Sequence, residues 1–220
     1  MNIVIAIDGP AGAGKSTLAR RVSKRLGYTY IDTGAMYRAV ALGALRSGVE
    51  LASASELERL AIDSELGLDA EGRVFLNGSD ISGDIRTPEV SASASKVAAI
   101  GGVRAALVDK QRAMAQAMSV VMEGRDIGTV VFPDAPVKIF LDADPAARVN
   151  RRAAEQPEVD AAHLAKQIAE RDARDRGRAE SPLVQADDAV YLDTTGLSLD
   201  EVEERILAIV RERVPNERNK

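Results

Sequence analysis

Cysteine is absent from all 220 residues, which excludes a disulfide framework and any zinc site built on thiolates. Tryptophan is absent too, and aromatic residues make up only 3% of the chain. A core must therefore be filled by Ile, Leu, Val and Ala, as in α/β proteins with buried sheets. Apolar residues reach 45%, enough for a sizeable core. The one histidine, His163, lies among Ala and polar residues and reads as a surface group, so imidazole catalysis is not expected. No apolar run approaches membrane-spanning length, and the opening Asn2-Ile3-Val4-Ile5-Ala6-Ile7 lacks a charged leader or cleavage site. A soluble, cytoplasmic protein without a membrane partner is expected. The net charge of -5 argues against a surface coated for nucleic-acid polymers.

What is present is a rhythm. Apolar, β-rich runs recur at 3–7, 28–31, 119–122, 137–141 and 189–192. Helical spacing of apolar residues fills 15–26, 33–47 and 199–214 between and after them. Ser198 with Glu201, and Ser53 with Glu56, give capping-box signals. Short strands alternating with helices predict an α/β fold: a mostly parallel sheet covered on both faces, in one domain spanning 1–220. Two stretches break the rhythm. Residues 66–87 read as a small β insertion around the hairpin turn signal Asn77-Gly78. Residues 145–180, charged and rich in Arg, read as a solvent-facing, mobile helical hairpin.

The run Gly9-Pro10-Ala11-Gly12-Ala13-Gly14-Lys15-Ser16 fits G-x-x-x-x-G-K-[ST] between a strand and a helix. Glycines let backbone N–H groups turn inward as an anion nest, and the helix N-terminus adds favourable potential. Lys15 supplies a point charge to the β/γ phosphates, and the Ser16 hydroxyl suits Mg²⁺. Thr17 completes the donor set. Four fixed positions match by accident in roughly 1% of chains this long, so the motif is specific. It leaves GTPases, ATPases and kinases open. No Asn-Lys-x-Asp element for guanine follows.

Three further groups narrow the field. Asp32 ends the second strand, where open α/β sheets bind ligands, and Thr33 can cap the next helix. Tyr37 and Arg38 then offer an aromatic face and a bidentate phosphate clamp; the bland alternative is a half-buried ring and a surface charge. Val120-Val121-Met122 ends in Glu123-Gly124-Arg125-Asp126-Ile127-Gly128. There Arg125 suits a phosphate, and Asp126 a base, a ribose or a metal's water shell, against an ordinary salt bridge as the alternative. Of the hairpin arginines 148, 151, 152, 171, 174, 176 and 178, two to four are expected to touch ligand. Arg171, Asp175 and Arg178 share one helical face, where Asp175 can hold a ribose while its neighbours hold phosphates.

With these residues on the page, the chain resembles the bacterial cytidylate kinases, P-loop phosphotransferases of nucleoside monophosphates. The phosphate loop, Asp32-Thr33-Gly34-Ala35-Met36-Tyr37-Arg38, Glu170-Arg171-Asp172-Ala173-Arg174-Asp175-Arg176 and above all residues 124–135 carry the likeness, which covers nearly the whole chain. The run 91–104 is similar to the family's segment before its long central helix. Residues 156–160 are short for the family, and Ser16 stands where some relatives have Gly. The resemblance implies transfer of the γ-phosphoryl group of ATP, with Mg²⁺, to CMP or dCMP by a monomer. It implies a three-layer P-loop fold with a monophosphate-binding region at 33–105, enlarged by the β insertion, and a lid at 145–180. It places Thr33, Tyr37 and Arg38 beside the acceptor, Ser95, Arg104 and Asp126 on the cytosine edge, and Arg125 on the acceptor phosphate. It puts Arg171 and Asp175 on phosphate and ribose, and Arg178 on the transferring group. Lys15, Arg125, Arg171 and Arg178 would be the catalytic set.

Two other readings remain at this point. A P-loop kinase of another acceptor, such as a small alcohol, would need a base, and Asp32 or Asp126 could serve. A nucleotide-gated binding protein would hydrolyse ATP slowly whatever acceptor is offered.

Overall fold

The apolar run after Asn2 forms β1 (Val4–Asp8), buried along its whole length, and β1 is the middle strand of the main sheet. A computed structural model describes residues 2–69 and 72–215; part of the expected β insertion, residues 70 and 71, lies outside the described residues. From β1 the chain passes through α1 (Lys15–Leu26), β2 (Thr29–Asp32), α2 (Thr33–Ser47) and α3 (Ala54–Asp63). Three short strands follow: β3 (Leu66–Leu68), β4 (Val74–Leu76) and β5 (Ser79–Asp80). Next come α4 (Pro88–Val97), α5 (Gly101–Ala117), β6 (Val120–Gly124) and β7 (Val137–Asp142). The hairpin α6 (Pro145–Glu155) and α7 (Ala161–Arg176) precedes β8 (Val190–Asp193) and α8 (Leu199–Arg213).

The main sheet has the order β2-β6-β1-β7-β8, and every pairing is parallel. Strand alternation splits the core in two. Val4, Ala6, Val120 and Met122 face α2 and α5. Ile5, Ile7, Val121, Ile139 and Leu141 face α1 and α8. Each buried aliphatic side chain contributes about 1.5–3 kcal/mol, so two such layers hold the sheet without large aromatics. Because all five strands point the same way, their C-terminal ends share one edge, and β1, β2 and β6 end there in Asp8, Asp32 and Gly124.

The small strands form a separate antiparallel sheet, β3-β4-β5. Asn77 and Gly78 both adopt positive φ (50° and 79°) between β4 and β5, the conformation a two-residue hairpin turn requires. The Ser198–Glu201 capping box forms as read from sequence. Three local expectations are corrected. Ser53 precedes α3 without a side-chain cap, so that box does not form. Asp32, not Thr33, caps α2: its carboxylate accepts from the Ala35 N–H at 2.9 Å, which leaves the Thr33 hydroxyl free to donate to the Glu123 carbonyl at 2.7 Å. The run 91–104 does not end before the long central helix, because Arg104 lies within α5.

Candidate active site

The loop 9–14 leaves β1 at Gly9, whose φ of +148° and contact with β7 admit no side chain: a Cβ would sit 1.9 Å from the Leu141 carbonyl oxygen. Gly12 and Gly14 also take left-handed backbone (φ +77° and +90°), turning the loop into the start of α1. Lys15 is buried and folds back over the loop, donating to the Pro10 carbonyl at 2.7 Å. Burial, and then repulsion from the Arg125 guanidinium, lowers its pKa to about 7. The loop thus holds a cation that gains from an incoming polyanion. Ser16 and Thr17 stand exposed at the first turn of α1.

Two acidic residues that the sequence reading passed over lie beside this loop. Glu123, next to last in β6, is buried, accepts from the Tyr30 hydroxyl at 2.5 Å and is hydrogen-bonded by the Ser16 side chain. Burial, followed by the nearby Asp32 charge, raises its pKa. Asp8 accepts from the N–H groups of Ile127 and Gly128 at 2.9 and 2.7 Å, at the start of a π-helical turn, Ile127–Val131. The signal for both was in the sequence: Asp8 closes an apolar buried strand, and Glu123 stands one residue from the end of another. One hydroxyl and one carboxylate at Ser16 and Glu123 match a hard cation that keeps most of its waters and takes phosphate oxygens. Among the described residues no cluster of three acidic or imidazole ligands forms a dedicated metal cage.

Beyond the loop lies a cleft lined by Thr33, Tyr37, Arg38, Ser95, Arg104, Arg125, Asp126, Arg171, Asp175 and Arg178, together with Gly34 and Ser91. Five elements converge to make it. α2 brings Tyr37 and Arg38, and Arg38 pairs with Asp32 at 2.8 Å. α4 brings Ser95. α5 brings Arg104, which is buried, pairs with Asp126 and lies over the Tyr37 ring at 5.6 Å. The loop after β6 brings Arg125 and Asp126. α7 and the residues after it bring Arg171, Asp175 and Arg178. Asp175 is the hub of this last group: Arg125 donates to it at 2.8 Å, and Arg178 also pairs with it. Burial alone would raise the Asp175 carboxyl, but Arg125 and Arg178 outweigh it and hold it below the usual range. Arg171 is 4.0 Å from Asp175, and its pKa is pushed down to about 10, chiefly by Arg125. Arg125 and Arg171 both act on Lys15, so cleft and loop share one field. The Nε atoms of Arg38 and Arg104 are buried without a partner among the described residues, an arrangement that calls for an acceptor from outside.

The hairpin arginines sort into three groups. Arg171 and Arg178 line the cleft. Arg148 and Arg151 turn to the phosphate loop, donating to Ala11 and Ala13 carbonyls at 3.0 and 3.5 Å. Arg152, Arg174 and Arg176 are exposed. His163 is exposed beside Gln167. The hairpin departs from the wholly solvent-facing element read from sequence: Leu164, Ile168, Arg148, Asp172 and Asp175 are buried.

A phosphate loop at the head of a parallel sheet, beside a cleft rich in arginines that pair with Asp32, Asp126 and Asp175, is the arrangement of a P-loop phosphotransferase. A family model described as Cytidylate kinase matches residues 5–212. The curated Cytidylate kinase of Solibacter usitatus is 57% identical over 99% of this chain and 96% of its own length. That of Pelotomaculum thermopropionicum is 54% identical over 94% and 95%. In fold, a gluconokinase from Sinorhizobium meliloti superposes with a TM-score of 0.50 at 15% identity, covering 98% of this chain and 94% of its own. The chain belongs to the cytidylate kinase family. No helix among the described residues is long and apolar enough to cross a membrane.

Proposed function

We propose that the chain transfers the γ-phosphoryl group of ATP to the 5′-phosphate of CMP or dCMP, giving CDP or dCDP and ADP. Family membership over nearly the full chain supports the reaction. The observation that carries the residue roles is that Arg125 and Arg171, which line the cleft with Asp175 and Arg178, also act electrostatically on Lys15 of the phosphate loop. ATP would lie on residues 9–17. Tyr37 would face the cytosine ring, with Ser95, Arg104 and Asp126 along its edge. Arg38, Arg125 and Arg171 would take the acceptor phosphate, Asp175 the ribose, and Arg178 the transferring group. Thr33, tied to the Glu123 carbonyl, would shape the wall between the two sites.

No general base is required, because a phosphate monoester with a second pKa near 6 is already largely dianionic at neutral pH. That removes the need for Asp32 or Asp126 as a base, and each is engaged by an arginine. The chain's work is to bring two polyanions together. Lys15 and the arginines neutralise their repulsion and then the charge spread over the transferring phosphoryl. Ser16 and Glu123 would hold Mg²⁺, which when bound supplies further neutralisation of the phosphate oxygens. We read 33–105, with the small β sheet, as the monophosphate-binding region. We read the α6–α7 hairpin, within 145–180, as a lid that excludes water. The protein acts as a cytoplasmic monomer in pyrimidine nucleotide metabolism, without a nucleic-acid polymer as partner. Lys15→Ala is the test: CMP-dependent ADP formation should fall by on the order of 10²–10³ or more, and normal turnover would refute the assignment.

A further inference from the structure

Arg148 and Asp172 form a buried ion pair at 2.5 Å, on α6 and α7 respectively, outside the cleft that holds Arg125 and Asp175. Its partners are on the phosphate loop. Arg148 Nη1 donates to the Ala11 carbonyl at 3.0 Å, and the Ala11 N–H points to the second Asp172 oxygen at 3.4 Å. Arg148 Nε donates to the Ala143 carbonyl at 3.2 Å, fixing the guanidinium's tilt. The loop is pressed against the helix as well: a Cβ on Gly12 would lie 3.1 Å from the Arg148 Cβ. Both polar groups of one loop residue are therefore held by a single charged pair.

A buried ion pair is poor at stabilising a fold, since an apolar pair of similar volume does as well or better. Apolar side chains have no groups to hold a carbonyl and an N–H in place. The pair's distinctive work is thus on Ala11. The helix geometry adds a second link. Arg171 and Asp175 lie on one face of α7, and Asp172 projects about 100° away from Arg171; the helix ends at Arg176, so Arg178 does not share that helical face as expected from sequence but reaches Asp175 from the residues after it. One helix and its C-terminal continuation thus present arginines to the acceptor side and a carboxylate to the donor loop.

We propose that Arg148 and Asp172 are positioning residues for the phosphoryl donor: they set the phosphate loop's backbone at Ala11 in register with the arginine face of α7. The inference rests on the donor-loop reading above. Without the pair, the loop still closes its turns, but its N–H groups no longer converge ahead of ligand, and ATP must order them on binding.

The test uses the full chain and Asp172→Asn, with the double variant Arg148→Met/Asp172→Leu to avoid stranding a buried charge. Binding of the non-hydrolysable analogue adenylyl imidodiphosphate, with magnesium and no acceptor, is measured by calorimetry. Amide exchange at residues 11–14 is followed alongside. In both variants, analogue affinity should fall by roughly 10-fold or more, and exchange at 11–14 should accelerate. CMP affinity without analogue should stay within about 2-fold of the parent, within the experimental scatter expected of sites that do not touch. KM for ATP should rise while KM for CMP holds. A merely structural pair would lower melting temperature and leave these ratios alone. Parent-like analogue affinity and parent-like exchange in the folded double variant would overturn the proposal. Should the parent itself fail to phosphorylate CMP, the acceptor reading fails, while the binding and exchange arms still judge the pair.

Discussion

The Asp8 carboxylate accepts a hydrogen bond from the Gly128 N–H at 2.7 Å, tying the strand that feeds the phosphate loop to the turn after Arg125 and Asp126. Burial raises its pKa from 3.8 to about 6, with the neighbouring Asp126 charge adding to it, against the two backbone bonds that pull it down. A raised carboxyl pKa means that the folded state holds a proton the unfolded chain has lost. Stability contributed this way is present below about pH 4 and is lost as pH rises to about 6, by on the order of 3 kcal/mol in all. Asp8→Asn has no such proton. Its unfolding free energy relative to the parent should therefore rise between pH 4 and 6.5 in denaturant titrations, and a flat difference would contradict the assignment.

Lys15 carries the opposite shift. Burial and Arg125 lower its pKa to about 7, and a bound triphosphate favours the charged form. ATP binding should therefore take up a proton at pH 8, and ATP affinity should weaken as pH climbs above about 7. Calorimetry at pH 8 in buffers of different ionisation enthalpy measures the uptake. The parent should take up most of one proton, and Lys15→Ala should lack that contribution.

Arg104 and Asp126 are both buried and paired, and the Arg104 guanidinium lies over the Tyr37 ring. Arg104→Met strands the Asp126 charge and should cost about 3–5 kcal/mol of stability. The double change Arg104→Met/Asp126→Leu should recover most of that loss, yet still bind CMP at least 10-fold more weakly, because the groups proposed to read the base are gone. Denaturation and CMP titration on the same two variants separate the effects. Equal recovery of stability and affinity would make the pair purely structural.

Much of the fold was legible because its signals are local. The apolar runs at 3–7, 119–122 and 137–141 became β1, β6 and β7, and Asn77-Gly78 made the hairpin its φ preferences dictate. Most cleft residues were also legible, as short polar runs at strand ends and on the Arg-rich hairpin, whereas Ser95 and Arg104 came only through the family resemblance. What escaped was tertiary. Asp8 and Glu123 each read as the polar end of an apolar strand, and only the β1–β6 register sets Asp8 beside Gly124 and Glu123 beside Ile7. Arg148 and Asp172 sit in a charged stretch with no local signal that singles them out, and their shared partner Ala11 is over a hundred residues away. Thr33 is a common helix-capping residue type, but Asp32, one residue earlier, caps α2 while the Thr33 hydroxyl donates to β6.

The central claim is that a cytosine monophosphate is the acceptor. The most direct measurement is the initial rate of ADP formation from ATP and Mg²⁺ with CMP, dCMP, UMP, AMP and shikimate offered separately. The account predicts strong turnover with CMP and dCMP and weak turnover with the other three. Slow ADP release at one rate whatever the acceptor would contradict it.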